Sequence, residues 1–111
     1  MICNLGDVVV VPFPFVDVTA ERRRPCVIIS HSAFNEATRH SVCAMITTAS
    51  HPPWAGDVAI GDLITAGLHV PCVIRWKVFT LPNENIVRRL GILAVSDHLA
   101  LVEALNKVVL D

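Results

Sequence analysis

The 111-residue chain contains no tyrosine, and four phenylalanines and two tryptophans bring its aromatic fraction to only 5%. Its core must therefore be aliphatic, and only Trp54 and Trp76 offer large flat rings for stacking. Charged residues are also scarce, at 17%, with a net charge of −1. That balance excludes a protein that binds polyanions over its whole surface, so any nucleic-acid contact must be local. No CxxC pair occurs among Cys3, Cys26, Cys43 and Cys72. His40, Cys43, Cys26 and His31 form no second close pair of the usual zinc spacing, so neither metal nor cofactor is expected. No apolar run approaches the roughly 20 residues that span a bilayer. The opening Met1-Ile2-Cys3-Asn4-Leu5 lacks the basic-then-apolar pattern of a secretory signal, and a cytoplasmic location is the expectation. Repeats, low-complexity segments and linkers are absent, which leaves a single domain over residues 1–111.

What is present is aliphatic bulk: 53% of residues are hydrophobic, rich in Val and Ile, the composition of a mainly β protein with short helices. Asp7 to Phe15 reads as a strand whose continuous run Val8–Val11 suits burial on both faces, with Phe13 and Phe15 as core. Pro12 and Pro14 require it to bulge or become an edge near its end. Residues 16–24 form a polar loop, and Pro25–Ser30 returns as the second strand of a hairpin. A short helix is predicted from a Ser32 cap to Arg39, and strands over Ser41–Thr48 and Asp57–Ile60. A turn of helix at Asp62–Ala66 is stopped by Gly67, and strands follow over Val70–Thr80 and within Asn85–Leu93. Alternation in the long strand puts Arg75 and Lys77 on one side. Ser96 is the expected cap of a C-terminal helix whose stripe Leu99, Val102, Leu105 and Val109 lids the sheet. Five to seven strands with short helices imply a strongly bent sheet or small barrel.

The nine basic residues cluster: Arg22-Arg23-Arg24, Arg39 beside His40, Arg75 with Lys77, and Arg88-Arg89, with Lys107 alone. Arg22–Arg24 lead directly into Pro25 and Val27-Ile28-Ile29. Guanidinium groups present planar forks of donors that match phosphate oxygens and stay charged at physiological pH. A solvated charge run at a loop end has the same composition, so convergence in space decides between the two readings.

Gly6-Asp7-Val8, the long loop into Arg24-Pro25, Val27-Ile28-Ile29-Ser30 and Ile46-Thr47-Thr48 follow one another in an order and spacing that resembles the MazF/PemK family of toxin endoribonucleases. Ala33-Phe34-Asn35 with Thr38-Arg39, and Val73-Ile74-Arg75 followed by Thr80-Leu81, resemble its PemK branch. The resemblance covers essentially the whole chain. It implies an SH3-like small barrel with a C-terminal helix, a homodimer, and metal-free cleavage of single-stranded RNA. It also implies neutralisation by a cognate antitoxin whose acidic tail covers the RNA groove. By the same resemblance Arg24, Thr47 and Arg75 are the catalytic candidates.

That chemistry uses the ribose 2′-OH as nucleophile and leaves a cyclic phosphate. Arginines suit the charge that builds on phosphorus, and the hydroxyls of Thr47 and Thr48 can bond a phosphate oxygen or orient the 2′-OH. Arg23, Thr48, Lys77 and Trp54 are the substrate-binding candidates, Trp54 as a stacking platform in a Pro-flanked loop. Trp76 is read as core or dimer contact. The general base is not given by the pattern. The PemK branch carries an aspartate two residues past its arginine, where this chain has Lys77, and a histidine in its first loop, where residues 16–23 have none. Glu21, His51 and His40 are the remaining candidates. The alternative is a protein-binding toxin of the same fold that inhibits gyrase, or a catalytically inert homologue. A helix ending Val108-Val109-Leu110-Asp111, without an aromatic anchor, favours the nuclease.

Overall fold

A computed structural model describes residues 1–12 and 23–111. Phe13 and Phe15 as core residues, Arg22, and Glu21 as a candidate base all lie outside the described residues.

Among the described residues, six antiparallel strands form one sheet in the order β4-β5-β3-β2-β1-β6. They are β1 (Asp7–Pro12), β2 (Arg23–Ile28), β3 (His40–Thr48), β4 (Val58–Ala59), β5 (Cys72–Pro82) and β6 (Arg88–Ile92). Between them lie α1 (Ser32–Thr38) and the single turn α2 (Leu63–Ala66), and α3 (Val95–Leu105) follows β6. The valine run behaves as its composition demands. Val8 joins Val27, Ala44, Ile46 and Ile74 in one core, while Val9 and Val11 join Cys26, Ile28, Cys43 and Leu81 in a second core on the other face. Pro12 ends β1 beyond the last β6 partner, where only β2 is paired, so its missing N–H removes no ladder bond on the β6 side.

Register irregularities bend the sheet at two places. One separates Val8 from Val9 against β6. At the other, Ala44 faces Val78 while Met45 faces Arg75, so that Trp76 and Lys77 are extra on β5. All four cysteines are free and buried. Burial pushes the Cys3 and Cys72 thiols up, and the thiol hydrogen bond with Cys43 pushes Cys26 up further, so these are apolar packing groups, not nucleophiles.

Two motifs noted only for their order turn out to be polar anchors. Asp7 is buried and accepts from the Asn4 backbone N–H and from Arg89 at 3.0 Å. Asn35, fully buried, donates to the carbonyls of Cys3 and Ser30, and its own carbonyl accepts from Asn83 at 2.7 Å.

The helix starts differ from expectation. Ser32 does not cap α1; His31 precedes it without a side-chain bond, and the Ser32 N–H instead donates to Asn4 Oδ1. Ser96 does not cap α3, which begins at Val95 after Ala94. The inward residue there is Asp97, whose carboxylate accepts from the backbone N–H groups of Gly61 and Asp62, each at 2.9 Å. This anchors α3 to the segment after β4 and rotates the helix away from the predicted stripe. Leu99 is 63% exposed and Val109 61%, whereas Leu101 is buried and Ala100 and Ala104 pack against the core. Ala100 and Ala104 flank the buried Leu101 and let the helix approach closely, while Leu99 and Val109 face outward.

The α2 turn meets its predicted description. Asp62 caps it through the Thr65 N–H, and Gly67 ends it at φ +76°. A Cβ on Gly67 would lie 2.2 Å from the Leu90 carbonyl oxygen, and one on Gly91 2.3 Å from that of Thr65. Backbone therefore packs directly on backbone where α2 meets β6.

Candidate active site

Cys26 lies opposite Met45, and Met45 opposite Arg75. Side chains two apart on a strand share a face, so Arg24, Thr47 and Arg75 all belong to one face of the sheet. The ends of β2 and β3 open into a cleft of about 330 Å³. Arg24, Thr47 and Thr48 line it together with Arg88 of β6 and with Leu68 and His69 from the turn after α2. Among the described residues neither Arg24 nor Arg88 has a carboxylate partner, while Arg75, Arg89 and Lys107 are ion-paired. Arg24 pairs with Val11 and Arg88 with Val10, so the two side chains leave opposite faces of the sheet although both residues border the hollow.

Thr47 is buried, and its Oγ1 lies 2.7 Å from Nδ1 of His51, whose ring also comes within 3.5 Å of Thr48 Oγ1. The turn that makes this possible is local: the His51 N–H donates to the Thr48 carbonyl. His51 therefore reaches the threonines, as a candidate base must. His40 does not. It opens the same strand, about 27 Å away along β3, where its Nδ1 bonds the Thr38 carbonyl and it borders a separate hollow with Met1, Ile2 and Arg39.

Arg75 is only 7% exposed and does not line the cleft. Its Nε donates to Asp57 Oδ1 at 3.2 Å, and the same terminal nitrogen donates to Asp57 Oδ2 at 2.9 Å and to the Pro52 carbonyl at 2.8 Å. These bonds, above all, hold the Asp57 carboxyl below the usual carboxylate range, with further help from the Trp54 N–H, while Asp57 in turn raises Arg75. The Trp54 ring sits 5.2 Å from the Arg75 guanidinium and 5.0 Å from the Lys77 ammonium. Arg75 thus ties down the segment that follows His51, and Lys77 reaches the same ring, as their shared side of the strand requires. Trp54 remains 46% exposed. Trp76 packs against the first core, its Nε1 donating to the Gly56 carbonyl. Arg23 is exposed at the start of β2, opposite Pro12, and does not line the cleft.

Sequence reasoning missed three of these residues. Asp57 becomes the partner of Arg75 only through the pairing of Val58 with Ile74. Arg88 was visible as charge but not as a cleft residue. His69 has no spacing signal at all. Among the described residues no group of three or more His, Cys, Asp or Glu side chains could hold a metal, and no helix is long and apolar enough to cross a membrane.

Residues 4–109 match the family model of the PemK-like, MazF-like toxins of type II toxin-antitoxin systems. The chain belongs to this family. No curated protein matches it. Solved structures agree on the fold of this toxin-family chain. MazF from Deinococcus radiodurans superposes with a TM-score of 0.77 at 17% identity, covering 100% of this chain and 99% of that one. The Mycobacterium tuberculosis toxin MazF-mt6 gives 0.72 at 22% identity over 91% and 93%. An endoribonuclease in complex with its cognate antitoxin, from a mycobacterial species, gives 0.76 at 21% identity over 95% and 92%. The SH3-like small barrel with a C-terminal helix is thereby the fold of this chain.

Proposed function

We propose that this toxin is a metal-independent endoribonuclease that cuts single-stranded RNA at short sequences, acts as a homodimer, and is silenced by a cognate antitoxin. The observation that carries the reading is the shared face at the ends of β2 and β3: Arg24 and Thr47 from neighbouring strands, and an imidazole 2.7 Å from the Thr47 hydroxyl.

A backbone phosphate beside Thr47 meets Arg24, whose donors stabilise the charge that grows on its oxygens in the transition state. Thr47 and Thr48 bond a phosphate oxygen or fix the 2′-OH. His51 takes the 2′ proton as O2′ attacks phosphorus. The bond from phosphorus to O5′ then breaks, leaving a 2′,3′-cyclic phosphate and a 5′-hydroxyl. Arg75 serves as a positioning residue: committed to Asp57 and Pro52, it holds the segment that carries His51. Trp54 and Lys77 supply a stacking face and a cation for the flanking nucleotide. Exposed Ile64, Val95, Leu99 and Leu110 are apolar surface that a second copy would cover.

The test is incubation of purified protein with end-labelled single-stranded RNA in EDTA. Discrete fragments ending in cyclic phosphate, absent with Arg24→Ala, are expected. Intact RNA together with gyrase-dependent DNA breaks would overturn the reading in favour of a protein-binding toxin.

A further inference from the structure

The hollow at the strand ends has a face of its own. Register puts Val10, Pro25, Arg88, Ile46, Thr48 and Cys72 on one side of the sheet, opposite to Arg24 and Thr47. Its floor is apolar: Ile46 and Cys72 are buried, and the Cys72 thiol already donates to the Val70 carbonyl. Polar groups stand at the rim. Arg88 and His69 are both exposed. Among the described residues Arg88 has no ion-pair partner and His69 makes no side-chain hydrogen bond.

The two faces meet at the end of β3. Thr47 and Thr48 are consecutive, with Cα atoms about 3.8 Å apart, and their side chains leave opposite sides of the strand. His51 Nδ1 lies 2.7 Å from the first hydroxyl and 3.5 Å from the second. One nucleotide step is long enough to pass from the Thr47 side, where the phosphate is cut, to the hollow bordered by Thr48. Trp54 sits over Arg75, which belongs to the Thr47 face. A nucleotide stacked on Trp54 therefore leaves the hollow to its neighbour across the cut.

We infer that this hollow receives one unstacked base of the RNA, from the nucleotide next to the cut and away from Trp54, with His69 reading its edge and Arg88 holding its phosphate. A base has flat apolar faces and a polar edge, which an apolar floor with a polar rim complements. The volume of about 330 Å³ is at the lower end of the range for ligand sites, about 300–1,000 Å³. It suits a single heterocycle, not a stacked pair. A neutral imidazole donates through one ring nitrogen and accepts through the other, so it favours one base edge over another. The wall that carries it is already formed. The N–H groups of Gly67 and Leu68 donate back to Ile64 and Leu63, and the Ala49 N–H, next to Thr48, donates to the Pro71 carbonyl at 2.9 Å. Little ordering is left for binding to impose. The contact of Thr48 with His51 favours RNA over a protein segment as occupant, because it makes the hollow continuous with the reacting face.

This inference rests on the nuclease reading, and the experiment separates the two. Wild-type protein and a mixed single-stranded RNA locate one cut. Oligonucleotides of that sequence are then made complete, or with an abasic ribose at either nucleotide flanking the cut, and kcat/KM is measured for wild type and His69→Ala. At one of the two positions, loss of the base is expected to slow wild type at least about 10-fold, the scale of one base contact. His69→Ala is expected to lose about 10-fold on the complete substrate. The two losses should not add: the variant cuts that abasic substrate within about threefold of its rate on the complete one. Losses that multiply to about 100-fold, or bases removable at both positions without effect, overturn the subsite while leaving the nuclease standing. Unchanged cleavage by His69→Ala overturns it in favour of a protein segment in the hollow. Wild-type protein that cuts no RNA overturns both readings.

Discussion

Thr47→Val replaces one hydroxyl by a methyl of similar size on a buried, β-branched strand residue, so its effects on folding and on chemistry can be separated. The side chain is 5% exposed and opposite Val73, a position that valine fills without strain. The one structural interaction lost is the 2.7 Å contact with His51 Nδ1. His51 is exposed and can bond water instead, so the net cost is that of an ordinary hydrogen bond, about 1 kcal/mol, or roughly 4 °C in Tm for a domain of this size. If the hydroxyl also bonds a phosphate oxygen in the transition state, the loss there is that of a charge-assisted bond. That is about 1.5–3 kcal/mol, which corresponds to a roughly 10- to 150-fold drop in kcat/KM. Single-turnover cleavage of a labelled RNA, run beside a thermal melt, measures both. The reasoning predicts a large kinetic loss with a small shift in melting. A rate within twofold of wild type removes Thr47 from the site, and a collapse of the melt shows that its hydroxyl serves the fold.

Three further outcomes are expected. Asp97→Ala leaves the N–H groups of Gly61 and Asp62 without their buried acceptor; it should destabilise the protein by about 3 kcal/mol, read by urea denaturation. Asp57 has its carboxyl lowered by Arg75, so its contribution is present above the unfolded carboxylate pKa of about 3.9 and is lost as pH falls through the lower folded value. Wild-type stability should accordingly fall more than that of Asp57→Asn between pH 5 and the acid range, as measured by melts across pH. Arg88→Ala should weaken RNA binding and reduce the slope of log affinity against log salt by about 0.7, the share of one phosphate contact on a single strand; an unchanged slope places Arg88 outside the RNA path.

Much of the sheet was legible because it depends on short-range pattern. The Val8–Val11 run announced burial on both faces, and Gly67 announced the end of a helical turn. The C-terminal helix was misread because hydrophobicity alone nominates Leu99 and Val109. The helix actually packs through Ala100, Leu101 and Ala104, and it is oriented by a buried carboxylate that no periodicity reveals. The cleft was legible for Arg24 and Thr47, carried by the ordered motifs of the family. It was not legible for Arg75, whose engagement with Asp57 arises from strand pairing between residues 18 apart. His69 arrives through a tertiary contact, from a turn pinned to β3 by one backbone bond. Features set by register and tertiary anchoring are invisible to spacing.

The glycine contacts between α2 and β6 have a consequence for what the cleft can accept. With main chain resting on main chain at Gly67 and Gly91, no side chain sits at those two contacts whose rotamer could shift the turn after α2 against β6. Adaptation then falls to the guest: a flexible, unpaired strand can splay a nucleotide into so fixed an opening, whereas a stacked duplex would first have to be unwound.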